Sequence, residues 1–278
     1  MTGRRAAAVA LSHVALRSGR GTLALTMAGE GRLVVFVHAG FCDRRMWWAQ
    51  LGALADRFQV VAYDRRGFGE SSPASEAHAH VRDLDVILEA LDVDSAILVA
   101  CSEGCRIAID YAATHPERVD GLVLVSPHAG TLPPASALPD QLQRLVDEME
   151  LARRAGDIDL LIRLMAQAWL DGPLQAQARV GGNTRTLFLD MAAMALRRSN
   201  GLRETGGGDP FRRFRYLSQP AEIVAGQLDF PHVLARAQDM VVSGRRAHLT
   251  MMKGVAHLPG LEAPVRFNSL LKRLVKAM

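Results

Sequence analysis

Little in this 278-residue chain can be cross-linked. Three cysteines, Cys42, Cys101 and Cys105, cannot build a disulfide framework, which points to a reducing, cytoplasmic location. Long apolar runs are missing too. None approaches the ~20 residues of a membrane-spanning helix, so no membrane partner is expected. The opening MTGRRAAAVALSH carries two arginines and a short apolar run, but Ser12 and His13 interrupt that run too early for an export signal. It reads as a disordered start leading into a first strand. Aromatic residues make up 5%, and no basic run alternates with them. Lysine is scarce: Lys253, Lys272 and Lys276 are the lysines among 33 cationic residues, so the net charge of +4 rests on arginines scattered over Ala- and Leu-rich segments. Solvated helix faces account for that charge better than a nucleic-acid footprint, and no nucleic-acid partner is expected. Metal and dinucleotide signatures are also lacking. His78-x-His80 has no further ligand at zinc spacing, and Gly67-x-Gly69 has no third glycine. There is no internal repeat.

What is there is an alternation. LVVFV (33–37), QVVAY (59–63), AILVAC (96–101) and GLVLVS (121–126) are short continuous apolar runs, the pattern of strands buried on both faces of a parallel sheet. Helix-like segments at 46–57, 78–92 and 103–114 separate them, as in an α/β sheet with crossover helices. HVALR (13–17) and TLALTMAG (22–29) read as a leading hairpin. From Thr131 to about Tyr216 the strand-like runs stop. Apolar helical faces replace them, through Leu142, Leu145, Val146 and Met149, then Leu161, Met165, Ala168 and Trp169, then Leu187, Met191 and Met194. PPASALP and GGGDP look like hinges around this block. Strands resume at 221–226 and 247–252, and a helix from about Ala263 closes the chain.

The stretch VACSEGCRIA (99–108) places Ser102 where a strand meets a helix, between the small residues Ala100 and Gly104. Such a turn lifts a hydroxyl above the sheet and aims the free N–H groups of a helix N-terminus at any charge forming there. An ordinary helix N-cap serine is the alternative. A serine hydroxyl is a weak nucleophile and needs a base and an orienting acid. Asp229, in AEIVAGQLDF, and His257, in LTMMKGVAHLPG, each follow a late strand.

With the order Ser102, Asp229, His257 in view, the chain resembles the α/β-hydrolase superfamily over nearly its whole length. VHAGF, YDRRGFGESS, the Ser102 turn, YAATHPERVDGLVLVSP, GQLD and GVAHLP carry the likeness. Within it, the chain is similar to the lidded esterase, enol-lactonase and C–C hydrolase branch. The resemblance implies a mostly parallel eight-stranded sheet with helices on both faces, residues 1–130 and 217–278 forming the core domain and 131–216 a helical lid after the sixth strand. It implies Ser102 as nucleophile, His257 as base and Asp229 as its orienting acid, with the backbone N–H groups of Glu103 and of Gly40, or alternatively Phe41, as oxyanion donors. Phe41, His128, Met165 and Trp169 are candidate substrate contacts, with a core role as the alternative for Trp169.

The implied activity is cofactor-free hydrolysis of a small or medium carboxylic ester or lactone, by a monomer or homodimer. C–C bond or enol-lactone hydrolysis is the runner-up, and a low-turnover ligand receptor the rival from another class. His38 is expected to brace the oxyanion loop, Asp64 to hold a structural turn, and the Glu103 side chain to face away from the site. His78, His80 and His115 are expected at the surface. Cys101 should point into the sheet core as an inert thiol. The departures from the family pattern are Ala100 and Cys105 at the turn and HAG in the oxyanion loop.

Overall fold

The computed structural model describes residues 10–72, 78–128, 138–198 and 210–278. The start of the chain and the bulk of both hinge-like stretches lie outside the described residues. Eight strands form one sheet: β1 Ser12–Ser18, β2 Gly21–Ala28, β3 Leu33–Val37, β4 Gln59–Tyr63, β5 Ala96–Cys101, β6 Val119–Val125, β7 Ala221–Gly226 and β8 Ala247–Met252. Their order is β1-β2-β4-β3-β5-β6-β7-β8. The β1–β2 and β2–β4 pairs are antiparallel and the rest parallel.

The continuous apolar runs have a direct physical reading. Side chains alternate across a strand, so a strand covered on both faces has no position left for water. In β5, Ile97, Val99 and Cys101 enter one core, and Leu98 and Ala100 enter the other. The first core is completed by α1 (Trp48–Leu54), which follows a 3₁₀ turn at Arg44–Trp47, and the second by α2 (His80–Ala90) and α3 (Glu103–Thr114).

Between β6 and β7 the described residues contain no strand. They hold α4 (Asp140–Ala155), α5 (Ile158–Met165), a π-helical turn at Ala166–Asp171, α6 (Gly182–Arg198) and α7 (Pro210–Phe214). The apolar faces of α4, α5, the π turn and α6 join the first core through Leu142, Leu145, Leu161, Trp169, Phe188 and Met191. The short α7 behaves differently. Phe211 and Phe214 enter the second core, and Arg213 pairs with Asp110 of α3 at 3.0 Å. The stretch 131–216, read from the sequence as one block, therefore packs on two faces of the sheet.

The chain ends with α8 (Pro231–Ser243), α9 (Pro259–Glu262) and α10 (Pro264–Ala277). Pro264 divides the last two, because the residue before a proline is driven out of the helical region, and Ala263 sits at φ −138°.

Candidate active site

Ser102 joins β5 to α3 at φ 54° and ψ −120°, a conformation L-residues rarely adopt. The surroundings hold it there. Its N–H donates to Val125 O at 2.9 Å, and its carbonyl accepts from Cys105 N at 2.9 Å. Gly104 permits the close approach behind it, since a Cβ there would stand 2.7 Å from Val37 O and 2.8 Å from His38 O. Ser102 caps nothing with its side chain, so the N-cap alternative does not explain it.

Asp229 follows β7 and His257 follows β8. Backbone bonds from Leu228 N to Val255 O and from Gln227 N to Met252 O, both 2.9 Å, bind their two loops together. His257 is fully buried, and its Nδ1 lies 2.7 Å from Asp229 Oδ2. A carboxylate oxygen accepts, so Nδ1 carries the proton and Nε2 presents a lone pair. Nε2 is buried and has no hydrogen-bond partner among the described residues.

A cavity of about 260 Å³ opens beside Ser102, lined also by Gly40, Phe41, Glu103, His128, Met165, Trp169, Ala195 and Leu196. All four expected substrate contacts thus reach it. Trp169 does so while also packing on His257, with ring centroids 4.7 Å apart, and Phe41 stacks on Trp169 at 5.7 Å. His128 stands among Trp169, His232 and His257, with ring centroids at 5.5, 5.4 and 6.2 Å. Burial, the largest cause, lowers its pKa to about 3, so it stays a neutral donor or acceptor.

The loop after β3 is braced as expected. His38 Nε2 accepts from Arg65 N at 2.9 Å, which leaves Nδ1 to donate to Ala39 O at 2.7 Å. Both nitrogens are committed, and burial holds the ring well below its usual pKa, so His38 moves no proton. Asp64 accepts from the backbone N–H groups of Arg44 and Glu70, both at 2.7 Å, and pairs with the Arg44 guanidinium. Cys101 is fully buried in the core, and burial raises its thiol pKa well above the usual range.

Two expectations need correction. The Glu103 side chain does not face away: its carboxylate lies 3.1 Å from the buried Arg65 guanidinium, whose charge keeps it ionised at the cavity wall. His78 and His80 are buried, not at the surface, and stack edge-on at 5.0 Å. On α6, which reads in the sequence only as an apolar helical face, Ala195 and Leu196 meet the cavity, while Met191 is in the core and Met194 lines another cleft. The sequence reading did not single out His232, and its place in the first turn of α8, three residues after Asp229, is the signal that could have found it.

A sequence profile of the family described as alpha/beta hydrolase fold matches residues 32–230. The chain belongs to this family. Among curated α/β-hydrolase relatives, the AB hydrolase superfamily protein YisY of Bacillus subtilis is 33% identical over 110 residues, 38% of this chain and 41% of that protein. The match therefore spans less than half of that relative's length. Two solved α/β-hydrolase structures share the fold over almost the whole chain. One is Est816, described as an N-acyl homoserine lactone degrading enzyme, with TM-score 0.73, 22% identity and coverage of 93% of this chain and 99% of that one. The other is the carboxylesterase CesB of Bacillus subtilis, with TM-score 0.75, 16% identity and coverage of 97% and 93%. Among the described residues of this α/β-hydrolase chain, no three His, Cys, Asp or Glu side chains are arranged to hold a metal ion, and no helix is long and apolar enough to cross a membrane.

The buried imidazoles make stability pH-dependent. His38, His80 and His128 all have pKa values lowered by burial, so the unfolded chain takes up protons that the folded chain refuses. Their contribution is complete above the unfolded pKa of about 6.5 and is lost as pH falls, at up to about 1.4 kcal/mol per pH unit for each ring. Urea midpoints measured from pH 7.5 to 4.5 should decline steadily below about pH 6.5, with His80→Gln flattening the slope. Equal midpoints at pH 7 and pH 5 would contradict this.

Proposed function

We propose that this protein is a cofactor-free serine hydrolase that cleaves a small or medium carboxylic ester or lactone through an acyl-enzyme. The observation that carries the reading is a strained Ser102 on the cavity wall together with a buried His257–Asp229 couple whose Nε2 has no hydrogen-bond partner among the described residues. In the proposed cycle, the Ser102 hydroxyl oxygen bonds to the substrate carbonyl carbon while its proton passes to His257 Nε2. The resulting oxyanion takes hydrogen bonds from the backbone N–H groups of Glu103 and Gly40. Such donors are each worth roughly 3 kcal/mol because they stand in place before charge develops. His257 then delivers its proton to the leaving oxygen, the C–O bond breaks, and the acyl group stays on Ser102. Water repeats the sequence, giving up its proton to His257 and releasing the acid and the restored hydroxyl. Asp229 holds the imidazole in the required tautomer and compensates its transient positive charge.

In this reading α4–α6 with the π turn act as the lid, and their apolar lining receives the acyl or alcohol part. The esterase and lactone-degrading proteins of like fold are in keeping with an ester or lactone substrate. The test is a fluorophosphonate probe with mass-spectrometric mapping of the labelled residue. Label on Ser102 supports the reading, and label on another serine ends it.

Specificity is expected to follow the lid lining. Met165 touches the cavity and is not among the rings packed on His257, so Met165→Ala is a cleaner probe than Trp169→Ala, which also strips a ring from the base. Removing one or two methylene equivalents of contact is worth roughly 1–3 kcal/mol. The ratio of kcat/KM between long and short p-nitrophenyl esters should then shift about tenfold. A uniform loss along the series, with a lowered Tm, would place Met165 in lid stability instead.

A further inference from the structure

His257 stands on a short loop between β8 and α9, and one carboxylate grips the peptide on either side of it. Ala256 N donates to Glu262 Oε2 at 2.8 Å and Leu258 N to Oε1 at 3.1 Å. The Glu262 side chain is 1% exposed, so its charge needs a partner within reach. That partner comes from the segment between β6 and β7. The Arg179 guanidinium donates to Glu262 Oε2, and it also donates to the carbonyls of Leu170 at 3.0 Å and Gly254 at 3.3 Å and to that of Asp171.

Each end of this strut is fixed. Leu170 and Asp171 belong to the π turn that carries Trp169, the ring against His257. The fully buried Asp171 carboxylate shapes the loop to Arg179, accepting from Ala178 N and Val180 N at 2.9 Å and from Arg185 at 2.8 Å. Gly172, at φ +99°, lets the turn close onto the acid loop: a Cβ there would stand 2.8 Å from Leu228 O, beside Asp229. One guanidinium thus bonds the helical segment to residues on both sides of the imidazole, Gly254 before it and Glu262 after it.

We propose that Arg179 is a positioning residue for His257, so that the seating of the helical segment on the sheet sets the alignment of the base through Glu262. The proposal rests on His257 being the base, and a readout independent of activity separates the two. In the full chain, Arg179→Met should raise amide hydrogen exchange at Ala256 and Leu258 about tenfold or more, since both donors lose a held acceptor. On p-nitrophenyl acetate it should lower kcat about 10–100-fold with KM within about threefold, as a misplaced base affects chemistry more than binding. Arg179→Lys, which keeps a cation at Glu262 but cannot span three carbonyls, should recover part of both effects.

Glu262→Gln breaks the same ion pair, so the double variant Arg179→Met/Glu262→Gln should lose no more than the worse single variant. Unchanged exchange at the two amides overturns the proposal, as does a loss carried by KM or losses that multiply in the double variant. If Arg179→Met does not yield folded protein, Arg179→Lys decides: raised exchange with reduced kcat supports the strut, and wild-type values for both refute it. Absence of probe label on Ser102 would defeat the hydrolase reading while leaving the exchange result to stand.

Discussion

Replacing Ser102 by alanine is expected to lower ester turnover by on the order of 10⁶, about 8 kcal/mol of transition-state stabilisation, with the fold unchanged. The size follows from what remains. Without the hydroxyl no acyl-enzyme can form, and His257 Nε2 has no positioned nucleophile from which to take a proton. The oxyanion donors and the cavity persist, leaving a residual acceleration of about 10³–10⁴ over water. The fold should tolerate the change because Ser102 is held by its backbone bonds to Val125 O and Cys105 N. Relief of its positive φ is not available to alanine either, so stability should change little. Burst-phase kinetics on p-nitrophenyl acetate, with circular dichroism of the same sample, checks both statements. Turnover within tenfold of wild type, from protein freed of contaminating esterase, would exclude Ser102 as nucleophile.

Asp229→Asn is expected to reduce kcat by about 10³–10⁴ and to leave KM nearly unchanged. An amide can keep a hydrogen bond to Nδ1 only by presenting its oxygen, and it carries no charge to offset an imidazolium. Asp64 is the informative control, a buried carboxylate directly after β4. It bonds to two backbone N–H groups and to Arg44, and burial raises its pKa to about 6. Asp64→Asn should therefore lower the Tm, because it leaves Arg44 short of its buried partner, and should cost far less in kcat. Comparing the pair by kcat and Tm assigns the acid. Reversed phenotypes would transfer the role to Asp64.

The elements that could be read directly were those whose signal is local. Strands β3, β4 and β5 sit at the residues where the continuous apolar runs sit, because burial on both faces leaves almost no polar position in such a strand, while β7 and the edge strand β8, which keep Glu222, His248 and Thr250, were legible from their shorter β-forming runs. The Ser102 turn was legible for a similar reason: small flanks, a strand before and a helix after are all within a few residues. Even the order of the Asp229 and His257 loops showed, since each follows a strand end with glycine nearby.

What escaped depends on which distant segments meet. Glu103 turns toward the cavity because Arg65, 38 positions earlier, is buried behind it, and nothing around Glu103 announces that partner. His78 and His80 read as surface residues, since a polar residue at a helix start is usually exposed; they are buried by packing their neighbours cannot specify. The helices after β6 share one periodicity, yet α7 crosses to the second core while α4–α6 stay with the first. Arg179 and Glu262 lie 83 residues apart and meet because the π turn brings one over the loop capped by the other. Side-chain alternation and turn chemistry act over two to five residues, so they are written along the chain. Ion pairs, buried imidazoles and cavity walls are set by how crossover connections stack whole elements, and that information exists only once the sheet has assembled.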